Sequence, residues 1–196
     1  MPPWIPYDKL RDYPATLRVA RHEVGHYLAG RHFGFKMDGV TLQVSHTGDN
    51  YGTSSITLSK PLRKMPEVER YLEERVVCLM AGLAGEVVDL DEVKDRAIYE
   101  HAKLNASQDF AKVRELMHLI RNIRHAKDAL TKAGPQLKAI DDELTQRTIQ
   151  FINSERALLD ELAPLLADQI TAWDQPVSLS TKDLAKIPSL RRRFPS

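Results

Sequence analysis

The stretch PATLRVARHEVGHYLAGRH, residues 14–32, runs without a helix breaker until Gly30. Leu17, Val19, Ala20, Val24, Tyr27 and Leu28 fall at mixed helical spacing, and proline is well suited to a first helical turn. The spacing predicts a helix over 14–32. This segment constrains the rest of the chain because it also carries His22, Glu23 and His26. Four residues advance a helix by about one turn, so the two histidines project from one face and can reach a single ion.

The remaining elements arrange themselves around that helix. VTLQV (40–44) and TSSITL (53–58) alternate as strands do, and the turn-rich SHTGDNYG joins them as a hairpin. Pro66 opens a second helix, EVERYLEERVVCLMAGLAGEVVDL, whose charged first half and apolar second half predict a buried end. Residues 91–106 are polar and read equally as a short helix or a functional loop. Ser107 is an N-cap for a long amphipathic helix through about 133, which Gly134-Pro135 breaks. Another long helix follows over 136–172, with Pro164 as a kink or restart. SLSTKDLAKI is an extended piece leading into a short helix, with Ser180 and Asp183 in capping-box spacing. The fold class is therefore mainly α with a small β-sheet, an α+β chain. With 196 residues, one domain over 1–196 is expected, with 1–13 as an N-terminal arm and 188–196 as a solvated basic tail.

Composition excludes several classes. Hydrophobic residues at 42% and charged residues at 28% are ordinary for a soluble globular protein, and a formal net charge of +1 points to no polyanion. Lys112, Arg114, Arg121, Arg124 and Lys127 are interrupted by Glu115 and Asp128 and lack an aromatic stacking set. They read as a solvated helix face, and no nucleic-acid partner is expected. Cys78 is the single cysteine and cannot form an internal disulfide, which fits a reducing compartment. MPPWIPYDKL lacks the basic and apolar regions of a secretory signal, and VVCLMAGLAG (76–85) falls short of the roughly 20 residues that span a bilayer. A cytoplasmic protein with no membrane partner is the expectation. No G-x-x-x-x-G-K-[ST] is present, so the chain brings no P-loop ATPase.

His22, Glu23 and His26 form the H-E-x-x-H arrangement of zinc metalloproteases, in which Glu23 takes a proton from zinc-activated water. The bland alternative is two packed or hydrogen-bonded histidines. A hydrolytic zinc generally takes three protein ligands, so a third must come from elsewhere. His32 stands where H-E-x-x-H-x-x-G-x-x-H places its last histidine, but Ala29 replaces the glycine that turns that chain. In an unbroken helix His32 would lie about 9 Å beyond His26 along the axis, out of reach of a shared ion. Glu86 is a carboxylate in an apolar helix end and should have a partner. Asp109 follows the Ser107 cap, where the helix dipole alone favours an acid. Spacing does not choose between Glu86 and Asp109.

Three stretches together resemble the peptidase domain of the membrane-anchored AAA proteases, the FtsH family. VARHEVGHYLAG is similar to its HEAGH helix, MAGLAGEVVD to its Gly-Gly-Arg-x-Ala-Glu-Glu helix, and NASQDFAKVRELM to its Ala-Ser-Asn-Asp helix start. VTLQVSHTGDNYGTSSI resembles the strand pair between the first two, and ITAWDQPVSLSTKDLAKI the closing helix and strap, so the likeness covers most of 15–187. The resemblance implies a zincin-like fold with His22, His26 and Asp109 as ligands, Glu23 as general base and Glu86 as an orienting carboxylate. It also implies Zn2+ as cofactor, a polypeptide substrate and a homo-oligomeric ring. Leu83 and Val87 depart from the family pattern, replacing its arginine and its second glutamate, and the family's transmembrane and ATPase modules are not matched.

Two further features fit this frame. Gly82 and Gly85 within a helix cost about 1 kcal/mol each relative to alanine and suggest close approach of another helix, the zinc helix with its own Gly25. Gly52, Thr53 and Ser54 stand where the turn enters the strand TSSITL, which reads equally as an ordinary surface hairpin or as an edge offered to an extended substrate. The expected activity is ATP-independent zinc endopeptidase cleavage of flexible or unfolded polypeptides. The alternatives are a non-catalytic zinc-stapled interaction module, or a peptidase subunit served by a separate ATPase or adaptor.

Overall fold

A computed structural model describes residues 14–45, 51–57, 59–87 and 107–195. Helix α1 spans Pro14–His32, the range the sequence predicts. Residues 22–30 are buried on every side, which explains the mixed spacing of its apolar residues: a central helix has no solvent stripe to keep polar. It packs on α2 (Met65–Glu86), on a later helix and on a small sheet.

The sheet is antiparallel, with β2 (Gly39–Gln43) between β3 (Tyr51–Thr53) and β5 (Val177–Ser180). Leu42 pairs with Gly52 across the expected hairpin, and Val40 with Leu179. The second strand of the hairpin is shorter than the alternation suggests. Its continuation, β4 (Ile56–Thr57), leaves β2 and pairs with β1 (Lys36–Met37). Gly39 makes the corner possible, since its φ of 108° is closed to other residues without strain, and a Cβ there would lie 2.6 Å from the Leu179 carbonyl oxygen. Positions 46–50 and 58 of the predicted hairpin lie outside the described residues.

Helix α2 buries its second half, from Val76 to Gly85, as its composition predicts. Its start is held by Glu67, whose carboxylate accepts from the Arg63 and Lys64 amides at 2.6 and 3.2 Å. Val113, Met117 and Ile120 of α3 (Ser107–Arg124) pack on Leu72, Val76 and Met80 of α2. The predicted segment 91–106 and the end of the predicted second helix, 88–90, lie outside the described residues.

Three boundaries differ from the sequence reading. Helix α3 stops at Arg124, well short of 133, where its apolar stripe runs out after Ile123. Buried Arg121 holds the following turn, donating to the Ala129 carbonyl and to Gln136 Oε1. Gly134 and Pro135 do not break a helix but lie in the first turn of α4 (Ala133–Ser154), where the missing proline N–H costs nothing. The predicted 136–172 helix is interrupted at Glu155, and Pro164 lies inside α5 (Arg156–Ala167). Finally, Ser180 caps α6 (Thr181–Leu184) by accepting from the Asp183 amide, as predicted, but the basic tail is not simply solvated. Pro188–Arg193 form α7, with Leu190 buried and Arg193 paired to buried Glu155 at 2.6 Å. Nor is the basic face of α3 uniformly solvated, because Arg124 is clasped by Glu69, Glu73 and Glu143.

Candidate metal centre

Two helices and a helix start build the site. His22 and His26, one turn apart on α1, turn their rings edge to face with centroids 4.5 Å apart. Helix α2 lies unusually close, as its glycines predict: a Cβ on Gly25 would collide with the Ala81 backbone, and one on Gly85 would lie 2.7 Å from the Arg21 carbonyl oxygen. Gly82 faces the histidines themselves. A Cβ there would stand 2.6 Å from His26 Nε2 and 3.0 Å from His22 Nε2, so only glycine leaves the space between the ring nitrogens and α2 open. Asp109, in the first turn of α3, completes the cluster.

The distances define a triangle. His26 Nε2 is 2.9 Å from His22 Nε2, and Asp109 Oδ2 is 3.3 and 3.2 Å from the two nitrogens. Tetrahedral zinc with bonds of about 2.0–2.1 Å keeps its ligand atoms roughly 3.3 Å apart, so the triangle has the dimensions of a zinc ligand face. These three are the His, Cys, Asp or Glu group among the described residues whose ligand atoms converge closely enough for a metal.

Hydrogen bonding on the far side of each ring sets its chemistry. The Cys78 carbonyl can only accept, so His26 Nδ1 donates to it at 2.7 Å. His22 Nδ1 donates to Glu86 Oε1 at 2.5 Å. Each neutral ring therefore turns a bare Nε2 lone pair towards the other and towards the Asp109 carboxylate. Three lone-pair donors crowded together repel one another unless a cation sits among them, so the residues present fit a divalent metal. Without the metal a proton takes that place. Burial would lower the His22 pKa, but Asp109 and Glu86 outweigh it and push the imidazole up to about 10. Burial likewise opposes ionisation of Asp109, yet His22 and His26 beside it hold its carboxyl well below the usual carboxylate range.

Glu23 is buried beside the pair, and burial raises its pKa against the pull of His26 and His22. Strand β3, at the edge of its sheet among the described residues, crosses this carboxylate. A Cβ on Gly52 would collide with the Glu23 carboxyl group, so the glycine lets the strand lie against it. Thr53, the last residue of β3, is exposed, and Ser54 just beyond it is half-buried.

No protein-family model matches this chain, and no curated protein matches it.

The structure thus brings together His22, His26 and Asp109, puts Glu86 behind His22, and sets Glu23 under Gly52. His32 stands apart at the exposed end of α1, its ring on Phe151 and its Nδ1 3.3 Å from Arg193 Nη2. Sequence reasoning missed the Cys78 carbonyl, which no side-chain pattern can signal, and the role of Gly82 as the cradle of the site. Among the described residues no helix is long and apolar enough to cross a membrane.

Proposed function

We propose that this chain is a zinc-dependent endopeptidase of zincin-like fold, resembling the FtsH-family peptidase domain, that cleaves flexible or unfolded polypeptides without nucleotide. The observation that carries the proposal is the convergence of three lone-pair donors of zinc-ligand geometry next to a buried carboxylate under an edge strand. His22, His26 and Asp109 would hold the zinc. Such a donor set lets zinc lower the pKa of bound water towards about 7 and polarise a carbonyl.

The chain's own residues supply the rest. Glu23, its pKa raised by burial, accepts the water proton and passes it to the departing amine nitrogen. Glu86 and the Cys78 carbonyl hold the two Nδ1 protons, so both Nε2 atoms stay available. An extended peptide adds to the outer edge of β3, backbone to backbone, which brings its carbonyls over Glu23. That geometry is available only in loops or locally unfolded segments, so tightly folded proteins stay intact unless a partner unfolds them.

Glu23→Gln is the test. The variant keeps its zinc and loses turnover of an unstructured substrate by about 10²- to 10⁴-fold, the usual contribution of a general base. Undiminished cleavage overturns the mechanism. A zinc-loaded native protein inert towards every unstructured substrate would replace it with the zinc-stapled interaction module.

A further inference from the structure

Arg18 lies one turn before His22 on α1 and shares its face. Its Nε is buried without a hydrogen-bond partner and stands 3.6 Å from Glu86 Oε2. The Glu86 side chain is only 5% exposed, and its other oxygen takes the His22 Nδ1 proton at 2.5 Å. A chain of three groups thus runs from the surface inward: guanidinium, carboxylate, imidazole. Glu86 is the last residue of α2, where the helix dipole disfavours a negative charge, and burial adds a desolvation cost. A cation 3.6 Å from its second oxygen offsets both.

We propose that Arg18 is a positioning residue for the metal centre: by holding Glu86 Oε2 it keeps Oε1 on His22 Nδ1 and aims His22 Nε2 at the ion. The inference rests on the zinc reading of the site. It assigns a specific role to a residue outside the proposed ligand set. The exposed part of Arg18, 38% of its side chain, makes substitution tolerable to the fold.

The experiment measures Zn2+ affinity by chelator competition and the visible absorption of the Co2+-loaded protein. Arg18→Met should weaken zinc binding about tenfold, the low end for residues outside the ligand set, and alter the Co2+ spectrum as His22 is released from its orientation. Arg18→Lys should restore most of the affinity. In a Glu86→Gln background Arg18→Met should cost less than about twofold more, because its effect passes through the carboxylate. Zinc binding by Arg18→Met equal to that of the native protein overturns this inference alone, as do fully additive losses in the double variant. A native chain that takes up no zinc overturns both this inference and the function on which it rests.

Discussion

At the residue scale the site turns on which atom faces the ion. Asp109 presents Oδ2 to both Nε2 atoms, whereas Glu86 meets His22 on the opposite nitrogen. Asp109→Ala should therefore abolish stoichiometric zinc binding in a metal analysis, while Glu86→Ala should weaken it about 10- to 100-fold. Equal losses, or the reverse order, would reassign the ligand. The same geometry sets a pH dependence. In the metal-free protein His22 holds its proton up to about pH 10, and zinc must displace it. Zinc affinity should rise with pH, about tenfold per unit from pH 7 to 9 if one proton leaves. A pH-independent affinity across that window would show that His22 is already bare. For the fold the sign is opposite. The raised pKa of His22 stabilises the metal-free fold fully below about 6.5, and that contribution is lost as pH rises towards about 10.

At the element scale the site depends on how closely α2 lies against α1. Gly25 and Gly82 do different work in that contact. A methyl on Gly25 meets rigid Ala81 backbone and forces the helices apart, so Gly25→Ala should destabilise the protein by about 1–3 kcal/mol in chemical denaturation. On Gly82 the methyl meets the ligating ring nitrogens, so Gly82→Ala should lose zinc binding even under conditions where it stays folded. Circular dichroism together with metal analysis separates the two effects, and a Gly82→Ala variant that binds zinc normally would contradict the assigned cradle. These glycines were legible in the sequence as a close approach. Their division of labour was not, because it depends on the rotation of α2 about its axis.

At the scale of the whole molecule, the last helix ties the chain's end to its centre. Arg193 on α7 pairs with Glu155, the residue between α4 and α5, whose side chain is 4% exposed. Removing the arginine leaves a buried carboxylate without that cation, although Arg193 itself is 43% exposed and the pair is partly screened. Arg193→Ala should cost about 1–2 kcal/mol in a thermal or denaturant melt and leave zinc affinity unchanged, since α7 lies away from the donor triangle. A loss of zinc affinity would link the two regions and contradict that separation.

The central helix, its two histidines and the charged-to-apolar change along α2 were all readable from the chain, because local spacing and hydrophobic patterning are properties of neighbouring residues. So was the Ser180 cap, which reaches only three residues ahead. The C-terminal end of α3 and the break at Glu155 were not, since contacts outside the local pattern hold them: Arg121 donating to the Ala129 carbonyl in the turn that follows, and Arg193 meeting Glu155 from 38 residues away. The choice between Glu86 and Asp109 is of the same kind. Both are acids at helix ends with ordinary reasons to be there. Only the packing of α1 and α3 on α2 puts one carboxylate at Nδ1 and the other at the two Nε2 atoms, because a ligand is defined by where three side chains meet in space and not by their spacing along the chain.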